Sequence, residues 1–274
     1  QIENSAPEIR RVIEREFAHK NFDYIRKLGI IRESIFGIDI QPVATEIARL
    51  RCFLTLVVEE RVADEEPNRG IEPLPNLDFK FVTANSLMEL ASSQQNGQKE
   101  LFEDQEGIDQ LKKVRDMYFT ASGLERERLK TKFYQIQTKM FQKMITHHYH
   151  ADLTSKLSAW DPFGHEASDW FDPDWMFGIK VGFDIVIGNP PYVRVQTINP
   201  TERETYSKLY SSAGGNYDLY ILFIERGWNL LSPTGTLSFI QSNKFIRSNY
   251  GRKLRKLLAE SQAVNSIVDF GALQ

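Results

Sequence analysis

Phe183-Asp184-Ile185-Val186-Ile187-Gly188-Asn189-Pro190-Pro191-Tyr192 is the stretch on which the fold turns. Phe183 to Ile187 are β-branched or aromatic apart from Asp184, the composition of a short buried strand. Gly188 permits close approach of another backbone. Pro190 and Pro191 fix φ at about −65° and bring no N–H. Pro190 also steers Asn189 away from the helical region. The expectation is a stiff loop at the carboxyl end of a strand, where open α/β sheets place their ligand sites. The Asn189 side-chain oxygen and the Pro190 carbonyl are both acceptors, suited to the two hydrogens of an exocyclic NH2 group. An amine held in this way keeps its lone pair free to attack. Tyr192 adds an aromatic face for a planar base. Together they predict a pocket for a nucleobase taken out of its stack.

Working outward, Ser34 to Ile40 reads as a strand that reaches Asp39 just before Pro42 opens a helix. The apolar stripe of that helix is Val43, Ile47, Leu50, Leu54 and Val57. A carboxylate at a strand's end either accepts hydrogen bonds from a ribose diol or caps the next helix. Phe79 to Thr83 form another strand, followed by Asn85-Ser86-Leu87. Residues 91–180 are too long for a single crossover, so they are an insertion. Leu101 to Tyr118 and Gly123 to His148 read as a helical hairpin broken at Ser122-Gly123, with the stripe Leu129, Phe133, Ile136, Met140 and Met144. Past Tyr192, a helix is expected from Tyr217-Asp218-Leu219-Tyr220 to Leu231. A turn at Pro233–Gly235 precedes a strand over Thr236 to Ile240, and a last strand spans Ser266 to Phe270. Residues 7–28 show the spacing of an outer amphipathic helix.

The chain has 274 residues, 41% of them hydrophobic, enough for a large domain or one domain with an appendage. No apolar run is long enough to cross a bilayer, and no signal peptide is visible. The single cysteine, Cys52, excludes an internal disulfide and fits a cytoplasmic setting. The net charge of −3 does not announce a nucleic-acid binder, so any DNA affinity must be local or come from other domains.

FDIVIGNPPY resembles the catalytic motif of S-adenosylmethionine-dependent amino-methyltransferases, above all the N6-adenine DNA methyltransferases. GIDIQPVATEIARLRCFLTLVVEE is similar to their second cofactor motif, in the form found in large fused restriction–modification enzymes of the type IIG group. YDLYILFIERGWNLLSPTGTLSFIQSNKF resembles the next two motifs, in the expected order. The resemblance implies an α/β, Rossmann-like methyltransferase core with an inserted helical hairpin. It divides the chain into an N-terminal core part (1–90), a mostly helical insertion (91–180) and a part carrying the catalytic loop (181–274). It also implies that Asp39 holds the cofactor's ribose hydroxyls and Ile40 packs on its adenine. Asn85, where the family often has Asp, meets the adenine amino group, with Ser86 beside it. Tyr217 and Asp218 border cofactor and catalytic loop. The implied catalytic group is Asn189, Pro190, Pro191 and Tyr192, acting on an adenine flipped out of double-stranded DNA. An upstream glycine-rich loop and a downstream target-recognition domain are also implied, and neither is seen. The chain therefore reads as the middle of a methyltransferase, inactive on its own. An RNA or protein-glutamine methyltransferase, or a module that only binds DNA or a partner, remain as alternatives; the long insertion and YDLY favour DNA.

Further features have more than one reading. His147, His148 and His150 suit a solvated helix end better than a metal site, which needs further ligands. Trp160, Trp170 and Trp175, with Phe163, Phe171 and Phe177, read as a loop pinned by aromatics that either packs against the sheet edge or flanks the site. Lys244, Arg247, Arg252, Lys253, Arg255 and Lys256 fit either a phosphate backbone or a solvated amphipathic helix. Arg194 is a further candidate phosphate ligand.

Overall fold

A computed structural model describes residues 22–60, 62, 64–65, 67–71, 73–90, 104–146, 151–164 and 166–271. They form two compact units, one comprising residues up to Asn85 and Leu90–Gly178, the other Ser86–Glu89 and the residues from Ile179 onward. The described structure is mixed helix and strand, with one parallel strand pair in each unit. The His147–His150 cluster and most of the helix expected over 7–28 lie outside the described residues.

In the first unit, α1 (Phe22–Ser34) leads into β1 (Gly37–Asp39), α2 (Pro42–Val57) and β2 (Phe81–Thr83). The helix thus runs six residues past the expected end at residue 28, and both strands are shorter than expected. β1 and β2 pair in parallel with Asp39 opposite Thr83. Pro42 starts α2, where its missing N–H costs nothing. A core of Tyr24, Ile31, Leu56, Leu77, Phe81 and Phe119 closes between α1, α2 and the strands, with Cys52 and Phe53 against it.

That core corrects the expected stripe on α2. Val43, Ile47, Leu50, Leu54 and Val57 are all exposed, and the helix buries Thr45 and Leu56 instead. The helix is apolar on two sides, and periodicity alone does not say which side is covered. Leu56→Ala is therefore expected to cost about 2–5 kcal/mol, and Leu54→Ala under about 0.5 kcal/mol. Urea denaturation of the two variants checks this, and equal costs would contradict the assigned face.

The insertion forms α3 (Gln105–Tyr118), α4 (Gly123–Thr146), α5 (Ala151–Ala159) and α6 (Pro173–Phe177). α3 and α4 pack on each other as a hairpin. Asp104 caps α3 by accepting from the Gly107 N–H, and Gly123 turns the break at φ +52°. Leu129, Phe133, Ile136, Met140 and Met144 are all buried. Phe133 meets Phe79, Trp160 and Phe163 at ring distances of 5.3, 6.0 and 5.6 Å. The three tryptophans are buried and serve packing. Asn76 donates to the carbonyls of Tyr118 and Ala121, closing the end of α3. Buried Gln137 donates to those of Leu157 and Trp160, fixing α5.

The second unit holds β3 (Phe183–Gly188), α7 (Pro200–Leu209), α8 (Tyr220–Asn229), β4 (Leu231–Phe239) and α9 (Arg252–Glu260). β3 pairs with β4 in parallel, ending with Gly188 opposite Phe239. Between the pairs Phe183–Leu231 and Ile185–Thr236 the register jumps. The expected Pro233–Gly235 turn is thus a bulge inside a longer strand. A Cβ on Gly235 would lie 2.5 Å from the Phe183 carbonyl oxygen, so the bulge requires glycine there. β3 has one neighbour among the described residues, which leaves Ile185 and Ile187 exposed rather than buried as a core strand would have them. α8 is covered nearly all round. Its start is Tyr220, three residues later than expected, because Tyr217 to Leu219 pair with the loop after Pro191. Ser266 to Phe270 form no strand: they find no ladder partner among the described residues, and Ile267, Val268 and Phe270 are exposed.

Candidate functional site

Two groups of candidate residues are held separately, one in each unit. In the first, Asp39 ends β1 and is exposed. Its Oδ1 accepts from the Gln41 N–H at 2.8 Å, which starts the turn into α2. The Ala84 N–H donates to the Asp39 carbonyl at 2.9 Å, fixing the two strand ends side by side. Asn85 follows, and its N–H donates to the Ser168 carbonyl at 2.9 Å. Ser168 in turn bridges Ala84 in parallel, widening the edge. Ile40 is 56% exposed, an apolar side chain at the same strand end. Asp39, Ile40 and Asn85 are thus gathered at one carboxyl edge. A carboxylate, an apolar surface and an amide are the chemistry that holds a nucleoside: hydroxyls on the acid, the base on the apolar side chain and its amino group on the amide oxygen.

In the second unit, Asn189-Pro190-Pro191-Tyr192 leaves the carboxyl end of β3. Pro190 is buried and anchors the loop, whereas Asn189 and Tyr192 are exposed. The Tyr192 hydroxyl lies 3.4 Å from both the Asn189 Oδ1 and the Ile240 carbonyl. The Asn189 acceptor and the Tyr192 ring therefore belong to one small face. Two main-chain bonds clamp the far side of the loop: the Leu219 N–H donates to Val193 at 2.7 Å, and the Val195 N–H donates to Tyr217 at 2.9 Å. Through them Arg194 bridges Asp218. Tyr217 contributes its carbonyl to this clamp, while its ring is buried in the core of the unit. Burial pushes its hydroxyl pKa up, and the hydroxyl has no hydrogen-bond partner among the described residues.

Sequence reasoning missed the residues that hold this arrangement. Glu225 and Arg226, adjacent on α8, are both buried. Glu225 accepts from the Ser211 N–H and hydroxyl, each at 2.9 Å, and from the Ser212 N–H at 2.8 Å. This fixes the turn that leads through Gly214-Gly215 to Tyr217. Arg226 donates Nε to the Ser86 carbonyl at 2.8 Å and pairs with Glu89. Ser86 is thus held by its main chain. A charged pair inside the apolar run Tyr220–Trp228 was the available signal.

The basic run divides. Arg255 donates to the carbonyls of Phe245 and Ser248 at 2.5 and 2.8 Å, and Lys253 to that of Ala213 at 2.5 Å. Lys256 pairs with Glu260 at 3.7 Å. Lys244, Arg247 and Arg252 are exposed. Among the described residues no group of three or more His, Cys, Asp or Glu is arranged to hold a metal, and no helix is long and apolar enough to cross a membrane.

Comparisons with known proteins add to this geometry. A type II restriction enzyme and methyltransferase of Escherichia coli, RM.Eco57I, is 39% identical over 95 residues, 34% of this chain and 10% of that protein. The type II methyltransferase M.BstVI of Geobacillus stearothermophilus is 43% identical over 89 residues, 32% of this chain and 16% of that protein. A putative type II restriction enzyme and methyltransferase of Methanocaldococcus jannaschii is 25% identical over 301 residues, 89% of this chain and 25% of that protein. The chain therefore spans a quarter or less of the length of these relatives. The model of the Eco57I restriction-modification methylase family matches residues 33–274, which takes in both strand edges and the proline loop. The chain belongs to the Eco57I restriction-modification methylase family.

Proposed function

We propose that this chain supplies cofactor- and base-holding parts of a Rossmann-like, S-adenosylmethionine-dependent DNA adenine N6-methyltransferase. The observation that carries the reading is the proline-stiffened loop at the end of β3, which exposes the Asn189 oxygen and the Tyr192 ring on one face. Family membership supports it, as do the names of the relatives.

The residues at the β1–β2 edge suit the cofactor. Asp39 Oδ1 is engaged with Gln41, which orients the carboxylate and leaves Oδ2 for a ribose hydroxyl. Ile40 offers an exposed apolar face and Asn85 an amide oxygen. When bound, S-adenosylmethionine supplies a sulfonium-activated methyl group. The chain's own part is to hold the acceptor. Adenine leaves the duplex at a cost of about a few kcal/mol. Its face stacks on Tyr192, and its amino hydrogens go to the Asn189 Oδ1 and the Pro190 carbonyl. The Tyr192 hydroxyl, which leans on the Asn189 oxygen at 3.4 Å, yields that acceptor to the amine. Accepting both hydrogens leaves the nitrogen lone pair for attack on the methyl carbon. The amine so held would take the methyl group that bound S-adenosylmethionine would supply, and its surplus proton would pass to solvent. Catalysis rests on positioning, with no covalent nucleophile.

Calorimetric titration of the protein with S-adenosylmethionine, beside an Asp39→Ala variant, tests the cofactor half. Saturable binding weakened at least about tenfold by the substitution is expected, as for loss of a charged hydrogen-bond acceptor. Equal affinity in the two proteins would remove Asp39 from the site.

A further inference from the structure

Tyr250 lies on the turn between the Asn243–Ile246 helical turn and α9. That turn is unusually constrained. The Arg255 guanidinium donates to two carbonyls ahead of Tyr250, those of Phe245 and Ser248. The Gly251 N–H donates to the Ser248 hydroxyl at 3.3 Å. A Cβ on Gly251 would sit 2.1 Å from the Phe245 carbonyl oxygen, so the turn closes only with glycine there. Lys253 ties the start of α9 to the Ala213 carbonyl. The Tyr250 side chain is therefore projected from a fixed base.

Its hydroxyl lies between two groups that border the proline loop. It is 3.1 Å from the Tyr220 hydroxyl and donates to the Asp218 carboxylate at 3.4 Å. The Asp218 main chain bridges that of Arg194, two residues past Tyr192. The Tyr220 ring meets the Tyr192 ring edge to face, with centroids 6.1 Å apart and planes at 69°. Behind it, Phe245 meets Tyr220 at 6.4 Å and the same 69°. Three rings thus stand in a row, and the one exposed to solvent is Tyr192. Burial pushes the Tyr220 hydroxyl pKa up, and the bond to Tyr250 adds to this, so the Tyr220 phenol stays protonated at neutral pH. With Asp218 as the final acceptor, the protons have one consistent order, Tyr220 to Tyr250 to Asp218.

We propose that Tyr250 is a positioning residue for the proline loop, setting the Tyr192 ring through Tyr220 and holding the Asp218 segment that clamps the loop. The role deepens the adenine-methylation reading and rests on it for its catalytic consequence. Its structural consequence, a fixed Tyr192 ring, does not depend on that reading. Phenylalanine at 250 removes the hydroxyl and keeps the ring, so the fold is preserved.

The test uses the full-length protein with 3-fluorotyrosine at position 192, read by fluorine NMR, and methyl transfer from S-adenosylmethionine to adenine in duplex DNA. Tyr250→Phe is expected to shift the position-192 resonance and to lower kcat about tenfold, as a loss of orientation does. KM for S-adenosylmethionine should stay unchanged, and the thermal midpoint should fall by no more than about a few degrees, as for the loss of one hydroxyl's hydrogen bonds. Added to Tyr220→Phe, it should shift the resonance little further, since the two act in series. An unmoved resonance, or fully additive shifts, overturns the proposal. If the wild-type protein transfers no methyl to adenine while the resonance still moves, the methylation reading falls and the positioning role stands.

Discussion

Asn189→Ala in the full-length protein is expected to lower kcat for adenine methylation by at least about a hundredfold, the scale of a misplaced reacting group. Affinity for S-adenosylmethionine should not change, because the proposed cofactor residues sit on the β1–β2 edge. Asn189 is exposed, and among the described residues its Oδ1 makes only a 3.4 Å contact with the Tyr192 hydroxyl, so little of the fold depends on it. The loop keeps its shape from elsewhere: buried Pro190 and the bonds from the Leu219 and Val195 N–H groups. Single-turnover methyl transfer, with thermal unfolding as a control, separates a lost acceptor from a lost fold. A variant that keeps its rate would remove Asn189 from the chemistry.

Glu225→Gln is expected to cost roughly 2–4 kcal/mol of stability, although Glu and Gln differ little in size. The Glu225 carboxylate is a pure acceptor for three donors on Ser211 and Ser212. A glutamine amide would turn an N–H toward one of them. Ser212 is fully buried, so water cannot replace the lost bond. The turn so loosened is the one that delivers Tyr217 and Asp218 to the loop clamp. Ser211→Ala removes one donor at an exposed position and should cost under about 1 kcal/mol. Chemical denaturation of both variants checks the order, and a neutral Glu225→Gln would contradict the account of this turn.

Local rules carried parts of this structure and failed at others for physical reasons. The insertion hairpin was legible because its break and stripe are both local: Gly123 turns the chain, and Leu129 to Met144 repeat on one face. The proline loop was legible because two prolines leave the backbone few choices. On α2 the same periodic argument chose the wrong side, since Val43 to Val57 and the Leu56 face are both apolar. The start of α8 moved because Tyr217 to Leu219 bond to the loop past Tyr192 instead of joining the helix. Ser266 to Phe270 have strand composition, but composition supplies no ladder partner. The anchors were invisible for another reason. Arg226 reaches Ser86 from 140 residues away, and Tyr250 reaches Asp218 from 32. No window along the chain contains both partners of either pair.

We propose that the loop from Asn189 to Tyr192 directs a methyl group to the amino nitrogen of adenine. The most direct test is nucleoside mass spectrometry of DNA methylated by the full-length protein, beside the Asn189→Ala variant. N6-methyladenine formed by the wild-type protein and absent with the variant is the expected result. Methylated cytosine in its place, methyl transfer only to RNA or protein, or N6-methyladenine undiminished in the variant would contradict it.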